Sequence, residues 1–387
     1  MQNFVTTNLG HDILSPFSPS ANSDLGIKSN ISSIFFPQSY FTSSEPTVIV
    51  DHRTGAKKMP HQNSFWQRSF PLSRSTDYCI YDSNAPVENE YITYLNSRGL
   101  GSKLISSDEA SKFSSSYRRF QFKPQSNPIN RELSDKEIFL KFCESSGVNV
   151  ESFDSYTSDN ISKKSLEKIL EKFGDQVILR DVEGSGGVGI YVLRKGDNEK
   201  EVLEGILKDS KRGSIKYVAQ KFHEDVTSPS CIGVCDERGF RILNNTEQII
   251  DDNAYAGTYL TMRCDDPTIL SMTQKIGNSL FENGYRGAFG VDYIRTPQGL
   301  LLPIELNARA TAAFYPHEVL CRLRENGNSF EEISNTAYEP THRAFPSFKE
   351  FYNSPQRKEI ESKYGRDLIF SQPGLLKDAM ISVLVPK

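Results

Sequence analysis

The alternation of apolar and polar residues along the chain predicts a mixed α/β protein. Near the N-terminus, short apolar runs at 47–51, 78–81 and 102–105 predict strands, and the pattern over 87–98 predicts a helix. Strands and a helix in this order are typical of a small α/β lobe with a parallel sheet. Residues 1–45 are rich in Ser, Asn, Pro and Phe and show little periodicity, which predicts an irregular segment.

Farther along the chain, helices and strands are predicted to alternate. Apolar residues recur at helical spacing in several stretches, and short apolar runs separate these stretches. The predicted helices are 136–143, 165–173, 199–208 and 275–283, and the predicted strands are 177–180, 190–193, 217–220 and 230–234. The polar and aromatic stretch 113–130 is predicted to be a connector. The last seventy residues are predicted to mix helix and loop.

A predicted β-hairpin near residue 300 carries the first candidate site. The apolar runs 290–294 and 302–309 flank a polar turn at 296–299, which is the pattern of two paired strands. Because side chains alternate between the two faces of a strand, residues 305, 307 and 309 share one face.

The side chains on this face are suited to magnesium. Asp292 and Glu305 supply carboxylates and Asn307 supplies an amide oxygen, which are the hard oxygen ligands that Mg²⁺ prefers. Arg309 places a guanidinium beside them. Because magnesium held in this way usually bridges nucleotide phosphates, the hairpin predicts ATP chemistry. The alternative is a set of edge residues in ordinary salt bridges.

A glycine-rich turn at 183–189 is the second candidate site. Glycine lets backbone N–H groups approach phosphate oxygens, because it has no Cβ. The turn lacks the Gly-Lys-Ser/Thr ending of a Walker A loop, and a strand at 190–193 follows it where a Rossmann fingerprint needs a helix. The turn is therefore predicted to join two strands and to cover phosphates as a flap, with Arg180 just before it. An ordinary flexible hairpin turn is the alternative.

Composition narrows the class of function. The net charge is −4 and no block of basic residues stands out, which argues against a nucleic-acid partner. No apolar run reaches transmembrane length and no signal-peptide pattern opens the chain, so no membrane contact is expected. The six cysteines lie far apart, which predicts free thiols and a cytoplasmic location. We find no Ser/His/Asp or Cys/His pattern of a covalent nucleophile, and His223 and His317 are predicted to be non-catalytic.

Together these features resemble the ATP-grasp family, whose members hold ATP between a small flap and a larger sheet. The similar segments follow one another in the order expected for the family. They are 177–180 with 184–189 for the flap strand and loop, 217–222 for the adenine hinge, and 284–292 with 305–309 for the magnesium hairpin. The resemblance covers about residues 133–320.

This resemblance implies an α/β (α+β) fold of the ATP-grasp type. It divides the chain into an irregular segment 1–45, an N-terminal α/β domain 46–130 and an ATP-grasp domain 131–387. The ATP-grasp domain would contain a flap subdomain over about 161–222 and a larger sheet that holds the metal site.

The resemblance also implies cofactors and residue roles. The implied cofactors are ATP and Mg²⁺, with Mn²⁺ as an alternative ion. The implied metal ligands are Asp292, Glu305 and Asn307, and the implied nucleotide contacts are Lys136, Arg180, Gly184, Ser185, Gly186, Gly187, Gln220, Lys221, Phe222 and Glu224. Arg309 is implied to stabilise charge on the γ-phosphate and the acyl phosphate, and Arg286 to bind the acyl substrate. A solvated helix face for Lys136, an ion pair for Arg309 and a plain loop position for Arg286 remain open.

Two positions depart from the family pattern in ways that concern the nucleotide. Arg180 stands where lysine is usual, and Gln220 stands where the hinge usually begins with glutamate. A third departure, Asp181, occupies a place where proline is common.

The implied activity is an ADP-forming carboxylate–amine ligase that works through an acyl phosphate. A shorter likeness of residues 245–259 to peptide ligases of natural-product pathways suggests that amino acids or peptides are joined. A thiol or carbamate-type acceptor and a non-catalytic nucleotide-binding module remain alternatives. The implied partners are a small-molecule carboxylate and amine, and homodimerisation through the N-terminal lobe is also suggested.

Overall fold

The computed structural model describes most of the chain from residue 132 onward and parts of the region before it. The described residues are 47–50, 67, 70–73, 77–81, 87–106, 109, 118–121, 132–184, 187–251, 254–262 and 266–387. For 47–50, 118–121, Arg212 and Ala254 only the backbone is described. The predicted irregular segment 1–45 lies outside these ranges, as do Ser185 and Gly186.

The N-terminal part forms a parallel sheet, as the sequence pattern predicts. Its strands are β1 (Thr47–Val50), β2 (Tyr78–Tyr81), β3 (Lys103–Ser106) and β4 (Arg118–Gln121), in the order β3-β2-β1-β4. Helix α1 (Asn89–Asn96) connects β2 to β3. Strand β4 falls in the stretch predicted to be a connector, so that prediction is wrong there. The strand is too short and polar to show a hydrophobic period.

A second sheet, the flap sheet, contains the predicted flap strands. It is antiparallel and consists of β5 (Phe153–Thr157), β6 (Gln176–Asp181), β7 (Ile190–Arg194) and β8 (Lys216–Lys221), in the order β5-β8-β6-β7. Helices α3 (Lys163–Phe173) and α4 (Glu199–Asp209) cover one face of it with a shared apolar core. The glycine-rich turn thus joins β6 and β7 as predicted, within a sheet that has four strands.

The third sheet has eight strands and forms the floor of the molecule's main cavity. Its strands are β9 (Pro229–Asp236), β10 (Gly239–Asp251), β11 (Ala254–Thr261), β12 (Gly287–Arg295), β13 (Leu301–Asn307), β14 (Glu332–Pro340), β15 (Ile369–Ser371) and β16 (Met380–Pro386), in the order β13-β12-β9-β10-β11-β14-β16-β15. Helices α2 (Lys136–Ser145) and α5 (Pro267–Glu282) pack on β9 and β12 through one apolar cluster. The predicted hairpin of β12 and β13 is confirmed and lies at one edge of this sheet.

The C-terminal region corrects the prediction of mixed helix and loop. It contains α6 (Phe314–Glu325), α7 (Phe348–Tyr352), α8 (Pro355–Tyr364) and a 3₁₀ helix at Pro373–Asp378, together with strands β14 to β16. Alternate residues of β14 are buried, but two of them are the polar Asn335 and Glu339, which hides the period of two. Strand β16 is nearly all apolar and buried. Such a short apolar run is typical of a strand, and the prediction of mixed helix and loop missed it.

The N-terminal sheet and the C-terminal region share one hydrophobic core. Phe70, Leu72 and Tyr91 belong to the same buried cluster as Phe314 and Phe348. This cluster contains residues from both predicted domains, 46–130 and 131–387. The division of the chain into these two domains stays a prediction.

Two further expectations concern cysteines and membranes. The cysteines at 79, 143, 231, 235 and 321 are free and buried, as predicted, and Cys264 lies outside the described residues. None of the described helices combines the length and the apolar character that a bilayer crossing requires.

Candidate functional site

A cavity of about 1300 Å³ lies between the flap sheet and the large sheet. Residues of β6 to β8 line one end, which we call the flap end, and residues of β12 and β13 line the middle. Residues of β11, β14 and β16 line the other end. The two sheets touch at the middle, where the Arg180 guanidinium on β6 donates to the Ile304 carbonyl on β13 over 3.0 Å.

The β12–β13 hairpin brings the predicted metal ligands together. Asp292 pairs with Glu305 across the two strands, and a β-bulge follows Asp292. The Asn307 amide donates to Asp292 Oδ2 and the Gln248 amide donates to Asp292 Oδ1, each over 2.8 Å. Arg309 donates to Asn307 Oδ1 over 2.9 Å. We call Asp292, Glu305 and Asn307 the metal face, and all three line the cavity.

The charges on the metal face favour a divalent cation. Burial and the neighbouring Glu305 carboxylate raise the pKa of Asp292 to about 6. The Lys136 ammonium lies 3.6 Å from Glu305 Oε1 and offsets part of the negative charge. Within the described ranges no three His, Cys, Asp or Glu side chains form a metal site, so Asn307 is needed as the third ligand. Two carboxylates and an amide oxygen fit Mg²⁺, provided that Asn307 Oδ1 exchanges its bond with Arg309 for the ion.

Lys136 connects the metal face to the glycine-rich turn. Asp135 caps helix α2 by accepting from the Glu137 and Ile138 backbone N–H groups, which fixes Lys136 in the first helical turn. The Lys136 side chain is 4% exposed and its ammonium donates to the Gly184 carbonyl over 2.5 Å. Burial lowers the pKa of Lys136. These contacts exclude the solvated helix face that the sequence left open for this residue.

Two glycines of the turn, Gly184 and Gly189, lie close to Asp181. Gly189 has a φ of +75°, and a Cβ there would lie 2.6 Å from Asp181 Cβ. A Cβ at Gly184 would lie 2.5 Å from the Val188 carbonyl oxygen. Gly187 has a φ of +85° and lines the cavity. The turn therefore needs glycine for its shape, in addition to any close approach of a ligand.

Arg180 and Gln220, the two nucleotide-site residues that depart from the family pattern, contact each other. The Arg180 guanidinium donates to Gln220 Oε1 as well as to the Ile304 carbonyl, and the Gln220 amide donates to the Glu151 carbonyl over 3.1 Å. Burial lowers the pKa of Arg180 to about 10, and it remains a cation at neutral pH. A neutral glutamine beside it leaves this charge available to an anion in the cavity.

The hinge differs from the prediction at one residue. Lys221 and Phe222 line the cavity, but Glu224 lies on a smaller neighbouring cavity of about 420 Å³. His223 faces the main cavity instead, 2.6 Å from Glu151 Oε2, and both of these side chains line it. The sequence predicted no partner for His223, because Glu151 comes from a separate segment just before β5.

Arg286 is not brought to the cavity. Its guanidinium donates to the carbonyls of Phe281 and Tyr285 and stacks 4.0 Å from the centre of the Phe281 ring. It is absent from the described residues that line the cavity. Arg286 lies in the turn between α5 and β12 and packs on Phe281, so we correct the predicted substrate contact to a loop position.

The glycine-rich turn, the hinge and the metal face all fall within one matched segment. A family described as "ATP-grasp domain" matches residues 133–313. Residues 133–313 form an ATP-grasp domain. The resemblance inferred from the sequence motifs is thus confirmed, and the α/β fold with it.

Proteins that resemble this chain include one curated relative and several solved structures. The relative is the butirosin acyl-carrier protein–L-glutamate ligase of Niallia circulans, 26% identical over 232 residues, which are 58% of this chain and 54% of the relative. The chain thus spans about half of the length of that relative. N5-carboxyaminoimidazole synthetase from Staphylococcus aureus, complexed with ADP, has a TM-score of 0.54 at 12% identity and covers 92% of this chain and 95% of its own. A biotin carboxylase from Campylobacter jejuni, described as a β-γ-ATP complex, has a TM-score of 0.53 at 12% identity and covers 89% of this chain and 87% of its own. At such identities the likeness to the solved structures shows the fold.

The far end of the cavity contains residues that the sequence patterns did not predict. They come from β11, β14, β16 and the start of α6, which are far apart in sequence. They are Tyr255, Thr258, Thr311, Asn335, Tyr338 and Ser382. The stretch 245–259 was singled out only by resemblance, and no local pattern marks the others.

Proposed function

We propose that this chain is an ATP-dependent, ADP-forming carboxylate–amine ligase that joins amino acids or peptides through an acyl phosphate. The observation that carries the proposal is the placement of the metal face directly below Lys136 and Arg180. Anionic and cationic groups then surround the place where a triphosphate would lie. The curated relative supports the ligase class, since its name describes a ligase.

The proposed nucleotide position follows from the lining of the cavity. Phe222 and the apolar side chains of Ile178 and Val192 offer a place for the adenine ring at the flap end. Lys136, Arg180 and the glycine-rich turn would then surround the phosphates. Asp292, Glu305 and Asn307 would hold Mg²⁺, which would offset the negative charge of the phosphates.

The proposed chemistry has two steps. An oxygen of the substrate carboxylate attacks the γ-phosphorus of ATP, the new O–P bond forms, and the bond to ADP breaks. The amine nitrogen of the second substrate then attacks the acyl carbon, loses a proton, and phosphate leaves with the former carboxylate oxygen. Arg309 would stabilise the negative charge that develops in both steps, because it reaches into the cavity beside Asn307. The turn at 183–189 would keep water from the acyl phosphate when it closes.

A thiol acceptor is the second candidate. The name of the curated relative describes the joining of an acyl-carrier protein to L-glutamate, and carrier proteins bear a thiol. The same acyl phosphate would then react with sulfur, and a thioester would replace the amide.

Phosphate release with separate acceptor panels tests the proposal. We expect Mg·ATP, a panel of amino and peptide acids and a panel of amines to give phosphate and ADP, with an amide detected by mass spectrometry. Hydroxylamine should trap the acyl phosphate as a hydroxamate in the absence of an amine. A hydroxamate without any amide, together with thioester formation on a pantetheine thiol, would favour the second candidate. No phosphate release with any acid would overturn both.

A further inference from the structure

The far end of the cavity extends from the metal face across the large sheet to β11, β14 and β16, and Thr311 lines it beside Gly290 of β12. We call it the acid pocket and define it by Tyr255, Thr258, Thr311, Asn335, Tyr338 and Ser382. Strands β9 and β10 lie between β12 and β11, so a strand spacing of about 4.8 Å places β11 about 14 Å from β12. This distance leaves room for a small acid between the metal face and β11.

The floor of the acid pocket is a network of neutral hydrogen bonds. The Tyr255 hydroxyl lies 2.6 Å from Thr258 Oγ1, and the Ser382 hydroxyl donates to Asn335 Oδ1 over 3.0 Å. Thr258, Asn335 and Ser382 are buried. Burial raises the pKa of Tyr255 to about 12, so its hydroxyl stays protonated at neutral pH.

Where the structure describes the lining, charged residues belong to the other parts of the cavity and not to this one. Among the described lining residues, the charged side chains come from the flap end, the hinge, helix α2 and the metal face with Arg309. The lining residues from β11, β14, β16 and α6 are uncharged. A charged group of a substrate buried against them would lose its hydration without gaining a counter-ion, which is costly.

The pocket also contains a place suited to one carboxylate. Helix α6 begins here after Ala313, and residues of its first turn line the cavity. Thr311 lies just before it, is only 8% exposed, and its hydroxyl has no hydrogen-bond partner among the described residues. Thr311 fits because residue 290 is glycine, since a Cβ there would collide with Thr311 Cγ2. A buried hydroxyl without a partner calls for a ligand.

We infer that the acid pocket selects a monocarboxylic acid whose remaining part is uncharged but forms hydrogen bonds, as in an N-acylated amino acid. Its carboxylate binds the Thr311 hydroxyl and Arg309, and its body contacts Tyr255 and Asn335. The inference rests on the proposed ligase function. It sets this chain apart from a ligase for L-glutamate, whose ammonium group and second carboxylate would find no counter-ion among the described residues of this pocket.

Binding of matched acids tests the inference without turnover. We would load the protein with Mg²⁺ and β,γ-imido-ATP and measure acid binding by calorimetry. The panel pairs each free amino acid with its N-acetyl form, and includes L-glutamate, L-glutamine and N-acetyl-L-glutamine. We expect the N-acetyl forms of uncharged amino acids to bind at least tenfold more tightly than the free forms. Equal or tighter binding of L-glutamate, or no binding of any acid, would overturn the inference.

Variants of Thr311 and Tyr255 locate the site. Thr311→Ala should weaken binding of the preferred acid about tenfold, whereas Thr311→Ser should restore it and leave nucleotide binding unchanged. Thr268→Ala, at an exposed position in the first turn of α5, serves as the control. Tyr255→Phe provides a second test if Thr311→Ala fails to fold, with a similar loss expected. Unchanged acid binding in both variants would contradict the assignment.

Phosphate release, measured beside acid binding, distinguishes a failure of the pocket assignment from a failure of the proposed ligase function on which it rests. If the preferred acid binds but releases no phosphate from Mg·ATP, the proposed ligase function fails while the pocket assignment stands. If phosphate is released mainly with charged acids such as L-glutamate, the ligase function stands and the pocket assignment fails.

Discussion

At the flap end and the metal face, the cavity is lined by cations and carboxylates that contact one another, whereas the acid pocket is lined by hydroxyls, an amide and aromatic rings. Lys136 lies between Gly184 and Glu305, and Arg180 lies between Gln220 and Ile304. In the acid pocket the contacts connect neutral partners such as Tyr255 with Thr258. The two regions are therefore suited to ligands of very different charge.

This difference shows how one cavity can combine a common reaction with a selective substrate site. Charged groups near the metal face suit any nucleoside triphosphate, because all of them carry the same triphosphate group. Neutral groups on β11, β14 and β16 select by shape and hydrogen bonding, and they exclude charged acids through the cost of desolvation.

The largest effect is expected at Glu305. Glu305→Gln keeps the size of the side chain but removes a carboxylate ligand, so phosphate release should fall by more than about a hundredfold. The fold should remain, because Glu305 and Asp292 repel each other when no cation lies between them. Glu204→Gln on the exposed face of α4 is the matched control. Phosphate release that stays near the original rate in Glu305→Gln would contradict the metal assignment.

Lys136→Met should have the next largest effect. The substitution removes a charge-assisted hydrogen bond to phosphate, so the KM for ATP should rise about tenfold to a hundredfold. Lys168→Met, at an exposed position on α3, should change nothing. A raised KM for the acid with no change for ATP would show that Lys136 serves the substrate and not the nucleotide.

Gly189→Ala should impair the flap more than Gly196→Ala. Both glycines have a positive φ, +75° and +74°, so both substitutions cost about 1 kcal/mol in backbone strain. Only at Gly189 does the new Cβ also approach Asp181. We expect a rise of several-fold in the KM for ATP for Gly189→Ala alone, together with a lower midpoint of thermal unfolding than that of Gly196→Ala. Equal behaviour of the two variants would argue against the tight packing of this turn.

Arg286→Ala should have the smallest effect. Its side chain contacts Phe281 and Tyr285 outside the cavity, so kcat and both KM values should stay within about twofold. Arg309→Ala is the matched comparison and should lose most of the phosphate release. A large loss in Arg286→Ala would show that this arginine reaches the substrate in the closed enzyme.

The sequence predicts the charged region well and the neutral region poorly, for a physical reason. Glu305 and Asn307 are two residues apart on β13, so a local pattern places them on one face, and Arg309 follows in the bend just after the strand. The acid pocket combines Tyr255, Asn335 and Ser382 from three strands that meet only in the folded sheet. Their side chains are common polar types in mostly buried strands, which no local period distinguishes. The predicted contacts of Arg286 and Glu224 differ from the structure for the same reason. The direction of a side chain in a turn or loop is set by its neighbours in space, which the local sequence does not show.

The transfer of oxygen from the acid to phosphate tests the central claim most directly. The preferred acid, labelled with ¹⁸O in its carboxylate, would be incubated with Mg·ATP and an amine, and the released phosphate analysed by mass spectrometry. An acyl phosphate requires that one labelled oxygen appear in the phosphate, with ADP as the nucleotide product. Unlabelled phosphate, or AMP with pyrophosphate, would contradict the proposed reaction.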